Sequence, residues 1–303
     1  MKLKLMLLFI PLVAVVTTSC TEESDEMLIQ GVLESSPYIA DGALQIHDDS
    51  TQIPADDMTT PVYSDTIPYV KWVRWIQRPI VRKYEIVVNG DSADVTIYAH
   101  LYGGPPGYGF FVNNDPIGPV YQRTISDSLV RRVKLWKDEG GEWHIGSLTA
   151  ADIYTFNTEH PVFLSQIIAS VPSRNYVFVI SSPNVYFERN ELPTFLPNDT
   201  VNVTVICNAE DDSTWAFLHH GVGHRTNTGC HTRQPFYRND INTFTRTWII
   251  ADDSMITTPA VRHSAVDVLG WQTLFGADDE TYYSRIWCLP YFVLQPGEEI
   301  PDD

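Results

Sequence analysis

The sequence predicts a mainly β protein, with an N-terminal α+β or β-rich domain followed by a C-terminal antiparallel β-sandwich that is Ig-like in shape. Three observations support this prediction. The 303 residues include 8 tryptophans, 15 tyrosines and 13 phenylalanines, with 20 prolines and 17 glycines, a composition that favours short strands and turns. Hydrophobic residues make up 44% of the chain, which is enough for a core. Runs such as Val201, Val203 and Val205 alternate with polar residues, as half-buried strands do.

Residues 1–19 have the pattern of a signal peptide. Lys2 and Lys4 precede an apolar run, residues 5–16, that is too short to cross a bilayer of about 30 Å. Small residues then lead into Cys20. This segment resembles a bacterial lipoprotein signal, which implies that Cys20 is acylated and that the acyl chains hold the protein on a membrane. An ordinary secretory signal with an incidental cysteine is the alternative.

The segment behind Cys20 is acidic. It begins TEESDE, and no Lys or Arg occurs between Thr21 and Val70, so we expect residues 20–59 to form a flexible leader. Similar acidic tails in Bacteroidetes lipoproteins accompany export to the outer face of the outer membrane. The resemblance therefore implies an outer-membrane lipoprotein at the cell surface, with the periplasm-facing side as the alternative.

Charge and cysteine content exclude some classes of protein. The chain has 38 acidic and 20 basic residues, a net charge of -18, and so should repel the phosphate backbone of nucleic acids. With Cys20 assigned to lipid, Cys207, Cys230 and Cys288 allow at most one disulfide, and the sequence leaves open which residues pair. No C-x-x-C motif is present, which argues against a redox motif or a zinc ribbon.

The first domain is predicted over residues 60–195. Trp72, Trp75 and Ile76 are spaced as on a helix, which predicts a short helix over 66–77 that Pro79 ends. Two hairpins should follow, one turning at Asn89-Gly90 and the other at residues 138–141.

The second domain is predicted over residues 196–303, after a proline-bearing join at 192–198. Its strand-like runs are separated by Asp, Gly and Asn turns, as in a β-sandwich, and we expect it to fold alone. Trp215 follows Cys207 too closely, and Ile286 stands where an immunoglobulin domain has a tyrosine two residues before Cys288. The sandwich is therefore expected to lack the immunoglobulin disulfide core.

These features occur together in one family. The lipoprotein front, the acidic leader, the run Arg82-Lys83-Tyr84-Glu85-Ile86 behind a tryptophan-bearing segment, and the ending GWQTLFGADDETYYSRIWCLPYFV resemble the two-domain outer-membrane lipoproteins of gut Bacteroidetes. Some such lipoproteins bind glycans or form parts of adhesive assemblies. The resemblance implies a binding or assembly role.

The densest group of potential metal ligands lies in one glycine-rich segment. It comprises His219, His220, His224, Cys230 and His231. Imidazoles and a thiolate can bind zinc or copper. Gly221 and Gly223 disfavour a helix there, and no carboxylate lies between Ser213 and Arg238 to orient a histidine. The alternative is a loop of solvated histidines, and we expect no cofactor.

No residues have the spacing of a catalytic site. His263, Ser264 and Asp267 invite comparison with a triad, but adjacent residues on a strand face opposite sides, and no G-x-S-x-G motif is present. The acidic pairs that could serve a glycosidase all lie in expected turns. We therefore predict no catalytic residues.

Aromatic side chains near turns are candidates for stacking on sugars. They are Tyr108, Tyr237, Trp271, Tyr282 and Tyr283. Three hypotheses follow: a lipid-anchored envelope protein that acts by binding or assembly, a glycan-binding accessory of a polysaccharide-uptake system, and a metal-dependent hydrolase that uses the histidine segment. Possible partners are a membrane, a glycan or an envelope protein. Neither the ligand nor the oligomeric state can be derived from the sequence.

Overall fold

The computed structural model describes residues 24–39, 70–156, 162–208, 214–221, 231–251, 256–277 and 279–301. Within these ranges the chain forms nineteen strands and two α-helices, so the prediction of a mainly β protein is confirmed. No helix among these residues is long and apolar enough to cross a membrane.

The elements follow one another with short connections. They are α1 Asp25–Ser35, β1 Lys71–Trp75, β2 Arg82–Asn89, β3 Ser92–Gly103, β4 Gly109–Asn113, β5 Tyr121–Arg123, β6 Ile125–Lys137, β7 Trp143–Thr149, β8 Ala151–Thr155, β9 Phe163–Val171, β10 Tyr176–Ile180, β11 Tyr186–Glu188, β12 Thr194–Phe195, β13 Thr200–Asn208, β14 Thr214–Gly221, β15 His231–Pro235, β16 Tyr237–Asp240, β17 Thr243–Ile249, β18 Ala260–Gly270, α2 Trp271–Phe275 and β19 Ser284–Val293. Two 3-10 turns, Pro172–Arg174 and Arg189–Glu191, complete the set.

An eleven-stranded sheet forms the centre of the molecule. One edge of the long strand β6 pairs with β3, and its other edge pairs with β7 and then β8. From β8 the sheet continues through β19, β18 and β14 to β15, while on the far side β3 pairs with β2. The β2–β3 hairpin turns at Gly90, whose φ of 63° suits glycine, so this prediction from Asn89-Gly90 is confirmed. The second predicted hairpin is also present, between β6 and β7.

Two smaller sheets cover the middle of the large one. On one face, the five-stranded sheet β10-β9-β13-β17-β16 packs against β14, β18 and β19, and a small apolar cavity of about 50 Å³ lies between Trp248, Leu218 and Leu289. On the other face, the three-stranded sheet β1-β4-β5 places Trp72 edge-on to Phe217, with ring centroids 5.2 Å apart. Strands β18 and β19 are therefore buried on both faces over much of their length.

The sheets do not break at the predicted domain boundary, 195/196. Strand β8, from the first predicted domain, pairs with β19, and β9 pairs with β13. The largest apolar cluster runs from Ile29 to Leu294 and draws on both halves of the sequence. The face-to-face sheets therefore take strands from both halves, and the β-sandwich is not confined to residues 196–303.

Two local predictions are wrong. Residues 71–75 form strand β1 rather than part of a helix, because Trp72 and Arg74 are the residues that turn inward, two positions apart. Within the expected leader, residues 25–35 form α1, whose Ile29 and Leu33 are fully buried. Ser24 caps this helix by accepting a hydrogen bond from the backbone N–H of Met27.

Candidate functional site

A fully buried group of charges joins the three-stranded sheet to the large sheet. Arg74 on β1 donates two hydrogen bonds to the carboxylate of Asp267 on β18, at 2.5 and 2.9 Å, and neither side chain is exposed. His219 on the neighbouring strand β14 lies 3.1 Å from the same carboxylate, through its Nε2 atom. A bidentate arginine–carboxylate contact of this kind holds two elements in a fixed orientation.

Aromatic rings and a second carboxylate complete the surroundings of Arg74. Its guanidinium lies 4.9 Å from the Trp72 ring centroid and 5.5 Å from that of Tyr282. The Tyr282 hydroxyl donates to the buried Asp127 at 3.0 Å. Burial alone would raise the pKa of Asp267, but Arg74 and His219 hold that pKa well below its usual range. Arg74 and Asp267 therefore stay charged in the interior, where their ion pair joins β1 to β18.

The triad considered from the sequence does not form. Asp267 contacts Arg74 and His219, whereas Nε2 of His263 lies 2.8 Å from the backbone oxygen of Pro37. Ser264 lines the apolar cavity on the opposite side of the sheet from Asp267. His263 and Ser264 therefore face opposite sides of β18, as adjacent residues of a strand do.

The predicted metal-binding segment is divided between the faces of a strand. His219 turns toward Asp267, and the next residue, His220, turns the other way, with its ring 5.1 Å from that of Trp248. These two imidazoles cannot bind the same ion. His224 and Cys230 lie outside the described residues, as does the side chain of His231 at the start of β15.

The two cysteines that the structure describes are buried thiols. Cys207 on β13 and Cys288 on β19 are both free, and they lie in different sheets. Burial raises the pKa of Cys207 to about 12 and that of Cys288 to about 11, so both stay protonated and unreactive. Cys20 itself lies outside the described residues.

Of the five predicted sugar-stacking residues, two lie in the interior and two are half-buried. Tyr282 and Tyr283 are only 4% and 6% exposed, which contradicts their assignment to a binding surface. In α2, the ring centroids of Trp271 and Phe275 lie 4.2 Å apart. Half-buried Tyr237 contacts the guanidinium of Arg246. Of the five candidates, Tyr108 is the one that is exposed. Tyr282 and Tyr283 are buried because the turn after α2 packs against the rest of the molecule.

Arg123 holds the turn after α2 in this position. It is buried, and it donates hydrogen bonds to the backbone oxygens of Thr273, Gly276, Ala277 and Glu280, at 2.6 to 3.0 Å. A turn rich in acidic residues is thereby tied to β5, and the tyrosines that follow it enter the core.

A broad part of the large sheet is covered by none of the residues that the structure describes. Beyond the five-stranded sheet, the solvent side of β3 and β6 forms a surface that we call the open face. It consists of Asp94, Thr96, Tyr98, His100, Tyr102, Ser126, Ser128, Val130, Arg132, Lys134 and Trp136. All of these residues are exposed or half-exposed, while the alternate residues of both strands are buried.

The open face combines flat rings with charges. Tyr102 and Trp136 are 45% and 49% exposed. Lys134 lies 4.8 Å from the ring of Tyr186, and the Nε2 atom of His100 lies 3.0 Å from the hydroxyl of Ser126. Tyrosine, tryptophan and arginine are the residues most enriched where proteins bind partners. Sequence reasoning missed this surface because it sought exposed aromatics in turns, whereas these lie within strands, on the solvent side.

One group of possible metal ligands lies at the end of the open face. Asp138 and Glu142 in the β6–β7 turn and His144 on β7 place their ligand atoms within 4.8 Å of one another. Asp138 accepts a hydrogen bond from the backbone N–H of Glu142, which lowers the pKa of its carboxyl, and lies 3.5 Å from Nε2 of His144. These contacts account for the grouping without an ion, and we assign no metal to it.

Comparison of the chain with protein-family models, with curated proteins and with solved structures finds no match.

Proposed function

We propose that this chain is a lipid-anchored cell-envelope protein that acts by binding through the open face, rather than by catalysis. The observation that supports the proposal is a contrast between two regions. The charged group around Asp267 is fully buried, while the open face presents aromatic and charged side chains to solvent on a rigid sheet. A rigid surface of this kind loses little conformational entropy when it binds a partner.

The lipid anchor is tested by Cys20→Ala. The expected result is that the protein folds but moves from the membrane fraction to the soluble fraction, since acyl chains supply the apolar insertion. Retention of the variant in washed membranes would mean that another surface holds the protein there.

Glycan binding is the second candidate, and the exposure of Tyr102 and Trp136 favours it, because flat exposed rings can stack on sugars. Electrophoresis in gels that contain soluble polysaccharides tests it. The control is Trp75→Ala, which removes a ring that is 41% exposed on β1. Retardation of the wild type that is lost in Trp136→Ala and kept in Trp75→Ala would support glycan binding. Equal migration in every gel would leave an envelope protein as the proposed partner.

A further inference from the structure

Helix α1 is fixed to the body of the protein close to the proposed lipid anchor. Ile29 and Leu33 are fully buried in the largest apolar cluster, and α1 packs against β2 and β7. At the first residue of the helix, the carboxylate of Asp25 lies 2.5 Å from Nζ of Lys137 and accepts a hydrogen bond from the indole N–H of Trp143 at 3.1 Å. The chain is therefore attached to the folded body from Asp25 onward.

The chain between Cys20 and α1 is short. Asp25 follows Cys20 by five positions. A fully extended chain spans at most about 3.6 Å per residue, so the Cα atom of Asp25 lies within about 18 Å of the Cα atom of Cys20. A flexible leader over residues 20–59, as the sequence predicts, would reach about 140 Å by the same measure. The attachment of α1 therefore keeps the folded body close to Cys20.

The contacts of Asp25 identify which end of the molecule is held close. Its partner Lys137 is the last residue of β6. The backbone N–H of Lys137 donates a hydrogen bond to the backbone oxygen of Asp91, in the β2–β3 turn, at 2.8 Å. The β6–β7 turn, residues 138–142, follows directly. We call these two turns and the first turn of α1 the tethered end.

We infer that the tethered end faces the membrane and that strands β3 and β6 lead away from it. This inference rests on the proposed lipid anchor at Cys20 and deepens it, because it identifies the surface that the anchor turns toward the lipid. An acylated cysteine at the bilayer surface places Asp25 within about 18 Å of that surface. The chain then runs back along β6, since Asp25 lies beside Lys137 while the backbone oxygen of Tyr38 accepts a hydrogen bond from Arg131.

The charge of the tethered end favours a position above the lipid headgroups rather than among them. Its exposed acidic residues are Glu26, Asp91, Glu139 and Glu142. Anionic lipids give a membrane a negative surface potential, which repels carboxylates. The tethered end therefore faces the membrane without inserting, and the acyl chains hold the protein there. This agrees with the release that is expected of Cys20→Ala.

The short connection also limits how far the open face extends from the membrane. Trp136 lies opposite Ser92, next to the tethered end, and Tyr102 lies ten residues further along β3. At about 3.3 Å per residue, that distance along the strand is about 33 Å. The open face therefore lies within about 50 Å of the membrane, whatever the tilt of the strands. Its partner must be a membrane-bound component, or a polymer that enters this layer.

Energy transfer to labelled lipids tests the orientation. A fluorescent residue would replace either Glu139, at the tethered end, or Tyr102, at the far end of β3. The full chain, purified with its lipid anchor, would be added to preformed vesicles of phosphatidylethanolamine and phosphatidylglycerol that carry an acceptor dye on their headgroups. Transfer from position 139 should be stronger than transfer from position 102, because position 102 lies about 33 Å further along the strands.

Lengthening the connection tests its cause. A flexible segment of about 20 Gly and Ser residues, inserted between Glu23 and Ser24, spans about 25 Å and should weaken the transfer from position 139. The same segment added after Asp303 is the matched control and should leave that transfer unchanged.

The outcomes separate this inference from the proposed anchor. Equal transfer from positions 139 and 102 in the acylated, membrane-bound protein would overturn the inference and leave the anchor standing. So would an unchanged transfer from position 139 after the insertion between Glu23 and Ser24. Mass spectrometry of the N-terminal peptide tests the anchor itself, and a Cys20 without fatty acid would overturn both.

Discussion

Replacing Asp267 with asparagine should destabilise the protein more than any change at its surface. The substitution keeps the size of the side chain but leaves the guanidinium of Arg74, which is fully buried, without its counter-charge. Removing one partner of a buried ion pair costs about 3–5 kcal/mol, a large part of a total stability of about 5–15 kcal/mol. With a urea m-value of about 2–3 kcal/mol/M, the unfolding midpoint should fall by about 1–2.5 M.

The assay is equilibrium unfolding in urea, followed by tryptophan fluorescence. Asp25→Asn is the matched control, because Asp25 contacts Lys137 and Trp143 in a more exposed position and should cost much less. A second variant, Arg74→Met with Asp267→Leu, removes both charges and should be more stable than Asp267→Asn. Equal losses of stability in Asp267→Asn and Asp25→Asn would refute the reasoning, because it holds that the burial of an unpaired charge determines the loss.

Four further predictions follow from the same structure. The pKa of Asp267 is lower in the folded state than in the unfolded chain, so the free energy of unfolding of the wild type should fall as pH drops below about 4. In urea titrations over the same pH range, the free energy of unfolding of Asp267→Asn should fall less. Leu33→Ala should lower the free energy of unfolding by about 2–5 kcal/mol in the same assay, because Leu33 is fully buried. An unchanged stability would mean that residues 25–35 belong to a flexible leader. Residues 196–303 expressed alone should be insoluble, because β19 would lose its pairing with β8; a soluble, cooperatively unfolding fragment would contradict this. Arg123→Lys should cost about 2–4 kcal/mol and speed amide hydrogen exchange over residues 273–280, since lysine cannot reach all four carbonyls.

Turns and the buried faces of strands could be predicted from the sequence where neighbouring residues determine them. Asn89-Gly90 determines a tight turn because the glycine accepts a positive φ, and the alternation in β6 determines which of its faces is buried. The strand β1 could not be predicted in the same way. Arg74 lies in the interior because Asp267, 193 positions away, neutralises it, and no local pattern reveals that pairing.

The extent of each sheet and the position of α1 also depend on distant residues. Asp152 on β8 and Arg285 on β19 are 133 positions apart, yet their 2.5 Å ion pair lies where the two predicted domains join in one sheet. The acidic composition around residue 30 led us to expect a flexible leader rather than a helix. Ser24 and the i, i+4 spacing of Ile29 and Leu33 were nevertheless signals of a capped helix. The open face was missed because its aromatics alternate within strands.

Site-specific photo-crosslinking in cells tests most directly whether the open face is the binding surface. A photoreactive residue would replace His100, an exposed residue of that face, and in a matched control it would replace Ile249, which is 65% exposed on β17 of the five-stranded sheet. Binding through the open face predicts a discrete cross-linked product at position 100, in the membrane fraction, and none at position 249. The absence of a product at position 100, or the same products at both positions, would contradict the proposed function.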